Sequence, residues 1–233
     1  NSGDNIYISS YNSYTEDITI DKSVNLYSST SDVSFNVIGS LTINCLPSMN
    51  VHIVGANFSS WLRAYTGTAT LNNKADIYVV ESSFSAITGY DFINMHALFC
   101  DSPNSIVSLE HGEVRGCNIK RIITNEGPNL AVEDTIFIVG NITTSIDLNN
   151  NDNYFYVANN FINSNSSSSI SLQIARTLFN VNKSNVVINN TIVSNTNSNN
   201  HTLLYINNSS ASTLSNQHNI DFYNNIFEKN GGR

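Results

Sequence analysis

The sequence predicts an all-β solenoid, a right-handed parallel β-helix of about eight to nine coils with three short strands per coil. Three observations predict it. An apolar triplet recurs along the chain with members at i, i+2 and i+7. Small residues or Asn stand two places before the third member. Asn, Ser, Thr, Val and Ile dominate, and no capped stretch with a 3.6-residue period stands out, which disfavours helix.

The triplets read Val51-Ile53-Phe58, Ile77-Val79-Phe84, Val107-Leu109-Val114, Leu130-Val132-Phe137 and Tyr154-Tyr156-Phe161. They continue as Val187-Ile192, with Asn185 breaking the first place, and Ile220-Phe222-Phe227. Their spacing, roughly 23 to 35 residues, is that of a stacked repeat. The first two members alternate in and out like a strand with one buried face, and the third opens a second strand after a short turn. A third apolar run supplies Leu62, Leu98, Ile122, Ile146, Ile170 and Leu204. Ile122, Ile146 and Ile170 are spaced 24 apart and are expected to stack.

The turn column reads Ala56, Ser82, Gly112, Thr135, Asn159, Asn190 and Asn225. These residues are small or, as Asn, tolerate left-handed backbone. The last three predict an Asn ladder, with side-chain amides bonded between coils about 4.8 Å apart. Residues 1–48 are expected to be less regular coils of the same body and 49–233 regular ones, giving a single β-helix domain over 1–233. The stretches Asn163 to Ser169 and Asn195 to Asn200 are low in complexity and read as loops, because the coil pattern resumes after each.

Composition narrows the function. Asn and Ser make up about three residues in ten, charged residues only 12%, and the net charge is -8. Such a surface is hydrogen-bonding rather than ionic, and it lacks the basic patch that nucleic acid requires. No apolar run approaches the ~18 residues of a membrane-spanning helix. Cys45, Cys100 and Cys117 are too few and too odd in number for a disulfide framework. They are expected as buried small hydrophobes, with a Cys100–Cys117 bridge as the alternative. No metal-ligand spacing and no cofactor fingerprint occurs. The chain does not start with Met and shows no signal peptide, so a mature protein or a piece of a longer one is expected. No amphipathic cap precedes Arg233, so a flanking domain, a partner or an end-to-end copy is expected there.

Particular segments resemble a known group. The stretches GDNIYIS (3–9) and ITIDKSVNLYS (18–28) are similar to the opening of many secreted β-helix proteins. NNTIVSNT (189–196) and NNIFEKNGG (224–232) look like coils of the pectin-lyase-like and NosD-like β-helix proteins, which include bacterial and archaeal adhesin-like surface proteins. The resemblance covers essentially the whole chain, and its motifs belong to the scaffold. It implies an extracellular location, secreted or attached to the cell surface. Eight Asn-x-Ser/Thr sequons fit a glycoprotein: Asn57, Asn141, Asn165, Asn182, Asn189, Asn200, Asn207 and Asn208. A chain so rich in Asn and Ser also makes such triplets by chance.

Two function classes follow. The first is a non-enzymatic adhesin, or a fibre or stalk subunit, whose partners are glycans, a host or neighbouring cell surface, or copies of itself. Its candidate binding residues are Trp61 and Tyr65, expected in a loop, and Tyr90, because flat rings beside Asn and Ser amides suit sugars. The second is a polysaccharide lyase, glycoside hydrolase or epimerase, including a phage tailspike. Three places before the triplet's third member stand Glu81, His111 and Asp134, expected in vertical file about 5 Å apart, with Arg115 beside them to neutralise a substrate carboxylate. Paired carboxylates or a His beside them perform general acid and base chemistry. The enzyme motifs of the group are incomplete. Only Glu110-His111-Gly112-Glu113 and Lys120-Arg121-Ile122 approach the polygalacturonase-like elements, and the epimerases' Asp-Pro-His-Glu is missing. The non-enzymatic reading is therefore preferred.

Overall fold

A computed structural model describes residues 3–9, 12–30, 34–66, 73–90, 92–124, 134–149, 153–165, 170–176, 184–196, 201–207 and 220–230. These residues form 26 strands and no helix. The strands stack in sequence order into three all-parallel sheets of 10, 13 and 3 strands, a parallel β-helix with three strands per coil and about nine coils.

The first sheet runs through Asp4–Ile8, Val24–Ser28, Asn50–Val54, Ala75–Val80, Ile93–Leu98, His111–Arg115, Asp134–Val139, Asn153–Ala158, Asn185–Ile188 and Ile220–Tyr223. The second runs from Ile18–Ile20 to Ile226–Lys229. A small corner sheet, Ser13–Tyr14, Phe35–Val37 and Ala56–Phe58, exists only in the first coils. Strand alternation sends every second side chain inward, and coil stacking lines these up in columns. One column on the first sheet is Leu26, Ile53, Val79, Ala97, Val114, Ile138 and Val157, all buried. Each large aliphatic side chain so buried contributes about 1.5–3 kcal/mol of burial free energy.

The register of the middle triplets differs from expectation. Met95-Ala97-Ser102 is a coil that the triplets missed, because Ser102 replaces the aromatic in third place. Val107 and Leu109 are buried but lie on the second sheet, paired with Ile122 and Thr124. The inward sets further on are Ile136-Ile138-Thr143, six residues on from the expected Leu130-Val132-Phe137, and Phe155-Val157-Ile162, one residue on from Tyr154-Tyr156-Phe161. Phe137, Tyr156 and Phe161 face outward, and the latter two are exposed. Both faces of these strands carry large apolar residues, as parallel strands often do, so an aromatic residue did not mark the inner face. Leu130 and Val132 lie outside the described residues. On the second sheet Ile122 stacks on Ile146 as expected. Leu172 rather than Ile170 follows them, and Leu98 belongs to the first sheet's outer face.

The turn leaving the first sheet repeats in each coil from Gly55 onward. One residue takes left-handed backbone: Gly55, Glu81, Phe99, Gly116, Gly140, Asn159, Asn189 and Asn224, with φ between 49° and 70°. The next residue points inward and forms the true turn column: Ala56, Ser82, Cys100, Cys117, Asn141, Asn160, Asn190 and Asn225. Gly112, Thr135 and Asn159 do not belong to it. The Asn ladder exists and is one rung longer than expected. Asn141 Nδ2 donates to Asn160 Oδ1, Asn160 Nδ2 to Asn190 Oδ1 and Asn190 Nδ2 to Asn225 Oδ1, each at 2.9 Å. Each amide oxygen also accepts the backbone N–H of the coil before it, at 3.0 Å for Asn141, Asn160 and Asn190. All three cysteines are free and buried. Burial pushes the Cys45 thiol up to about 12.

Candidate functional site

The expected file of Glu81, His111 and Asp134 does not assemble. Glu81 occupies the left-handed turn column, exposed, between Gly55 and Phe99. His111 begins a first-sheet strand and is 3% exposed, with its Nδ1 3.9 Å from Asp134 Oδ2. Asp134 forms an ion pair with Lys74. The spacing placed Glu81 with His111 only because the intervening coil, Ile93–Leu98, went unseen.

That coil carries the most concentrated chemistry of the first sheet. Outward positions stack in register as His52, Tyr78, His96, Glu113, Phe137 and Tyr156. The His52 and Tyr78 rings lie 4.4 Å apart at 10°, and Tyr78 and His96 lie 4.2 Å apart at 6°. His96 Nδ1 meets Glu113 Oε1 at 2.8 Å, and its Nε2 lies 3.7 Å from Asp76 Oδ1. Asn94 donates to the same Asp76 oxygen at 2.9 Å. Arg115 pairs with Glu113, with its guanidinium carbon 4.9 Å from the centre of the Phe137 ring.

Electrostatics follow from this arrangement. Burial pulls the His96 pKa down, but the nearby Asp76 and Glu113 carboxylates outweigh it, so the net shift is upward. Burial raises Glu113, and Arg115 and His96 together bring it below the usual range. The nearby His96 imidazole lowers Asp76, against a smaller opposing effect of burial. Beside these groups lies an open recess of about 500 Å³ lined by Asn94, His96, Glu113, Arg115, Thr135 and Phe137 among others. At Gly112, which also lines it, φ is 111° and an added Cβ would lie 2.1 Å from the Met95 carbonyl oxygen, so the coil closes there only around glycine. Among the described residues no group of three His, Cys, Asp or Glu is placed to hold a metal ion.

The aromatic candidates do come together, on a strand rather than a loop. Trp61–Thr66 is a second-sheet strand, and alternation turns Trp61, Arg63 and Tyr65 outward. Trp61 is 41% and Tyr65 38% exposed. Tyr90, from the next coil, stacks on Tyr65 with centroids 5.4 Å apart at 10°. Arg63 lies over the Trp61 ring at 4.6 Å and donates from Nη1 to Tyr65 Oη at 3.4 Å. Reading Trp61 to Tyr65 at strand period would have brought Arg63 into the set from sequence alone.

The sequons separate by burial. Asn141 is 1% exposed and locked in the Asn ladder. Asn165 and Asn189 are exposed and Asn207 half-buried. Asn57 is exposed, although its amide already donates to Asn36 and accepts from Ser83. Asn182, Asn200 and Asn208 lie outside the described residues. Comparison with known protein families, curated proteins and solved structures returns no match.

Proposed function

We propose that this chain is an extracellular, non-enzymatic β-helix module of a cell-surface adhesin or fibre, and that it binds glycans on the outer face of its second sheet. One observation carries the reading: Trp61, Tyr65 and Tyr90 converge on a single outward patch around Arg63, held by the rigid ladder beneath. Aromatic rings with a directional donor between them offer the apolar and hydrogen-bonding contacts that sugar rings use. Rings fixed on a strand lose little freedom on binding, which favours affinity.

A second reading has one observation in its favour. His96, between two carboxylates beside an open recess, is arranged as a proton donor or acceptor, so a polysaccharide-cleaving enzyme would work there and not at Glu81.

Incubation with a panel of soluble polysaccharides, followed by size-exclusion chromatography, separates the two. Polymer that co-elutes with the protein at unchanged length, and no longer does so with Trp61→Ala, supports the adhesin. Shortened polymer, with the activity lost in His96→Gln, replaces it by the enzyme. No co-elution and no shortening rejects both in favour of a purely structural stalk.

A further inference from the structure

We infer that Arg63 makes the Trp61–Tyr65 patch selective for an anionic sugar, its guanidinium taking a carboxylate or sulfate oxygen while the flanking rings hold the neighbouring sugar residues. The inference rests on the glycan-binding reading of this patch.

The other two arginines with described side chains are neutralised. Arg115 pairs with Glu113, and Arg121 pairs with Asp147. Arg63 is different among the arginines whose side chains are described: its contacts there are the Trp61 ring and the Tyr65 hydroxyl, and it forms no ion pair with a carboxylate of the described residues. In a chain of net charge -8 this is a notable exception. The adjacent strands explain it. Leu41–Cys45 below and Ala86–Gly89 above contain no acidic residue. In register with Arg63 they place Thr42 on one side and Thr88 on the other.

A column of Thr42, Arg63 and Thr88 at the strand spacing of about 4.8 Å sets two hydroxyl donors beside one guanidinium. Such a set suits an oxyanion, and the planar guanidinium can bind two oxygens of a carboxylate or sulfate at once. Trp61 and Tyr65 are four residues apart on an extended strand, about 13 Å. That exceeds one pyranose ring, so the bound chain runs along the strand with its charged residue in the middle. If Arg63 only covered Trp61, its removal would alter stability and leave selectivity untouched.

Two matched pairs of probes test this: oligogalacturonate against its methyl ester, and sulfated against unsulfated dextran oligomers. Affinities are measured by calorimetry for the wild type, Arg63→Gln, Arg63→Lys and Trp61→Ala. The expected result is that the wild type binds at least one charged probe about 10-fold more tightly than its uncharged counterpart. That preference weakens as salt shortens the screening length. Arg63→Gln brings the pair to near equality because it costs the charged probe more affinity than the uncharged one, and Arg63→Lys keeps part of the preference. Which pair shows the effect tells a carboxylate from a sulfate. Equal wild-type affinity for charged and uncharged probes, lost in Trp61→Ala, would overturn the inference and leave the glycan reading standing. So would a charge preference that survives Arg63→Gln. Failure to bind all four probes removes both. Thermal melts confirm that the variants fold.

Discussion

The two halves of the solenoid build the same turn from different side chains. In the C-terminal half the inward column is Asn141, Asn160, Asn190 and Asn225, and the left-handed residues before them are Gly140, Asn159, Asn189 and Asn224. In the N-terminal half the inward column is Ala56, Ser82, Cys100 and Cys117, and two of the left-handed residues are Glu81 and Phe99. The backbone bonds are nevertheless the same. Phe99 N donates to Arg115 O at 2.8 Å as Gly140 N donates to Ala158 O at 3.0 Å. What the inward position requires is an acceptor for the N–H of the coil before it. Ser82 Oγ supplies one to Ala56 N at 3.1 Å, Cys117 Sγ to Cys100 N at 3.3 Å and Asn141 Oδ1 to Cys117 N at 2.9 Å. Asn adds what Ser and Cys lack, a second donor that runs on to the next rung.

This comparison makes Asn160→Ala the most damaging change. It strands Asn141 N and Nδ2 without their acceptor and the Ile138 carbonyl without its donor, all buried. Leaving several buried polar groups unsatisfied costs about 3 kcal/mol or more in total. Ser82→Ala strands chiefly Ala56 N and should cost about 1–2 kcal/mol. Denaturant melts of the two variants measure the gap. Equal losses would show that the amide chain adds nothing beyond the single acceptor.

Cys117→Ala should fall between them. It removes the acceptor of Cys100 N and leaves a small void, together about 2 kcal/mol. Cys117→Ser keeps an acceptor and should recover most of that. Were Ser no better than Ala, the sulfur would be acting through packing alone, and the shared-acceptor account of the turn would fail at this rung.

How much of this was legible in the sequence follows from the same columns. The solenoid was legible because Ile, Val and Leu recur with strand alternation, and the ladder because Asn190 and Asn225 stand at one spacing from Ile192 and Phe227. Register in the middle was not. Outward Phe137, Tyr156 and Phe161 mimic inward anchors, and Ser102 hides a whole coil. Once that coil is missed, Glu81 slides into false alignment with His111, and His96 never meets Asp76 and Glu113. The aromatic patch survived this error because Trp61 and Tyr65 share one strand, where alternation alone sets their common face. Tyr90 joins them through one coil step that the missed coil does not interrupt.

Phe99 offers a smaller change with the opposite sign. A β-carbon in left-handed backbone costs about 1 kcal/mol, and Phe99 is 63% exposed, so its ring recovers little through burial. Phe99→Gly, which copies the turn of Gly116 and Gly140, should raise stability by up to about 1 kcal/mol, visible as a higher melting midpoint. A lower midpoint would mean that the Phe99 ring, which lies against Gly116, contributes more than its exposure suggests.

The smallest effect separates the halves by pH. The described Asn rungs have no ionisable group, whereas the outer face of the N-terminal half joins three coils through Asp76, His96 and Glu113. His96 has its pKa raised above 6.5 in the fold, so its contribution is complete below 6.5 and fades as pH rises through the raised value. Asp76 and Glu113 are depressed below 3.8 and 4.5, so theirs is complete above those values and fades as pH falls through the lowered ones. The three therefore act together between pH 4.5 and 6.5. His52, depressed first by burial and then by His96, opposes them on the acid side of 6.5. Subtracting the pH profile of His96→Gln from that of the wild type isolates the His96 share. Hydrogen exchange then locates it: protection of Ala75–Val80, Ile93–Leu98 and His111–Arg115 should fall as pH rises past 6.5, after correction for the intrinsic rate, while Phe161–Ser164 and Thr191–Ser194 stay constant. A uniform fall along the chain would show that the coils open as one unit and that the two halves differ in chemistry without differing in stability.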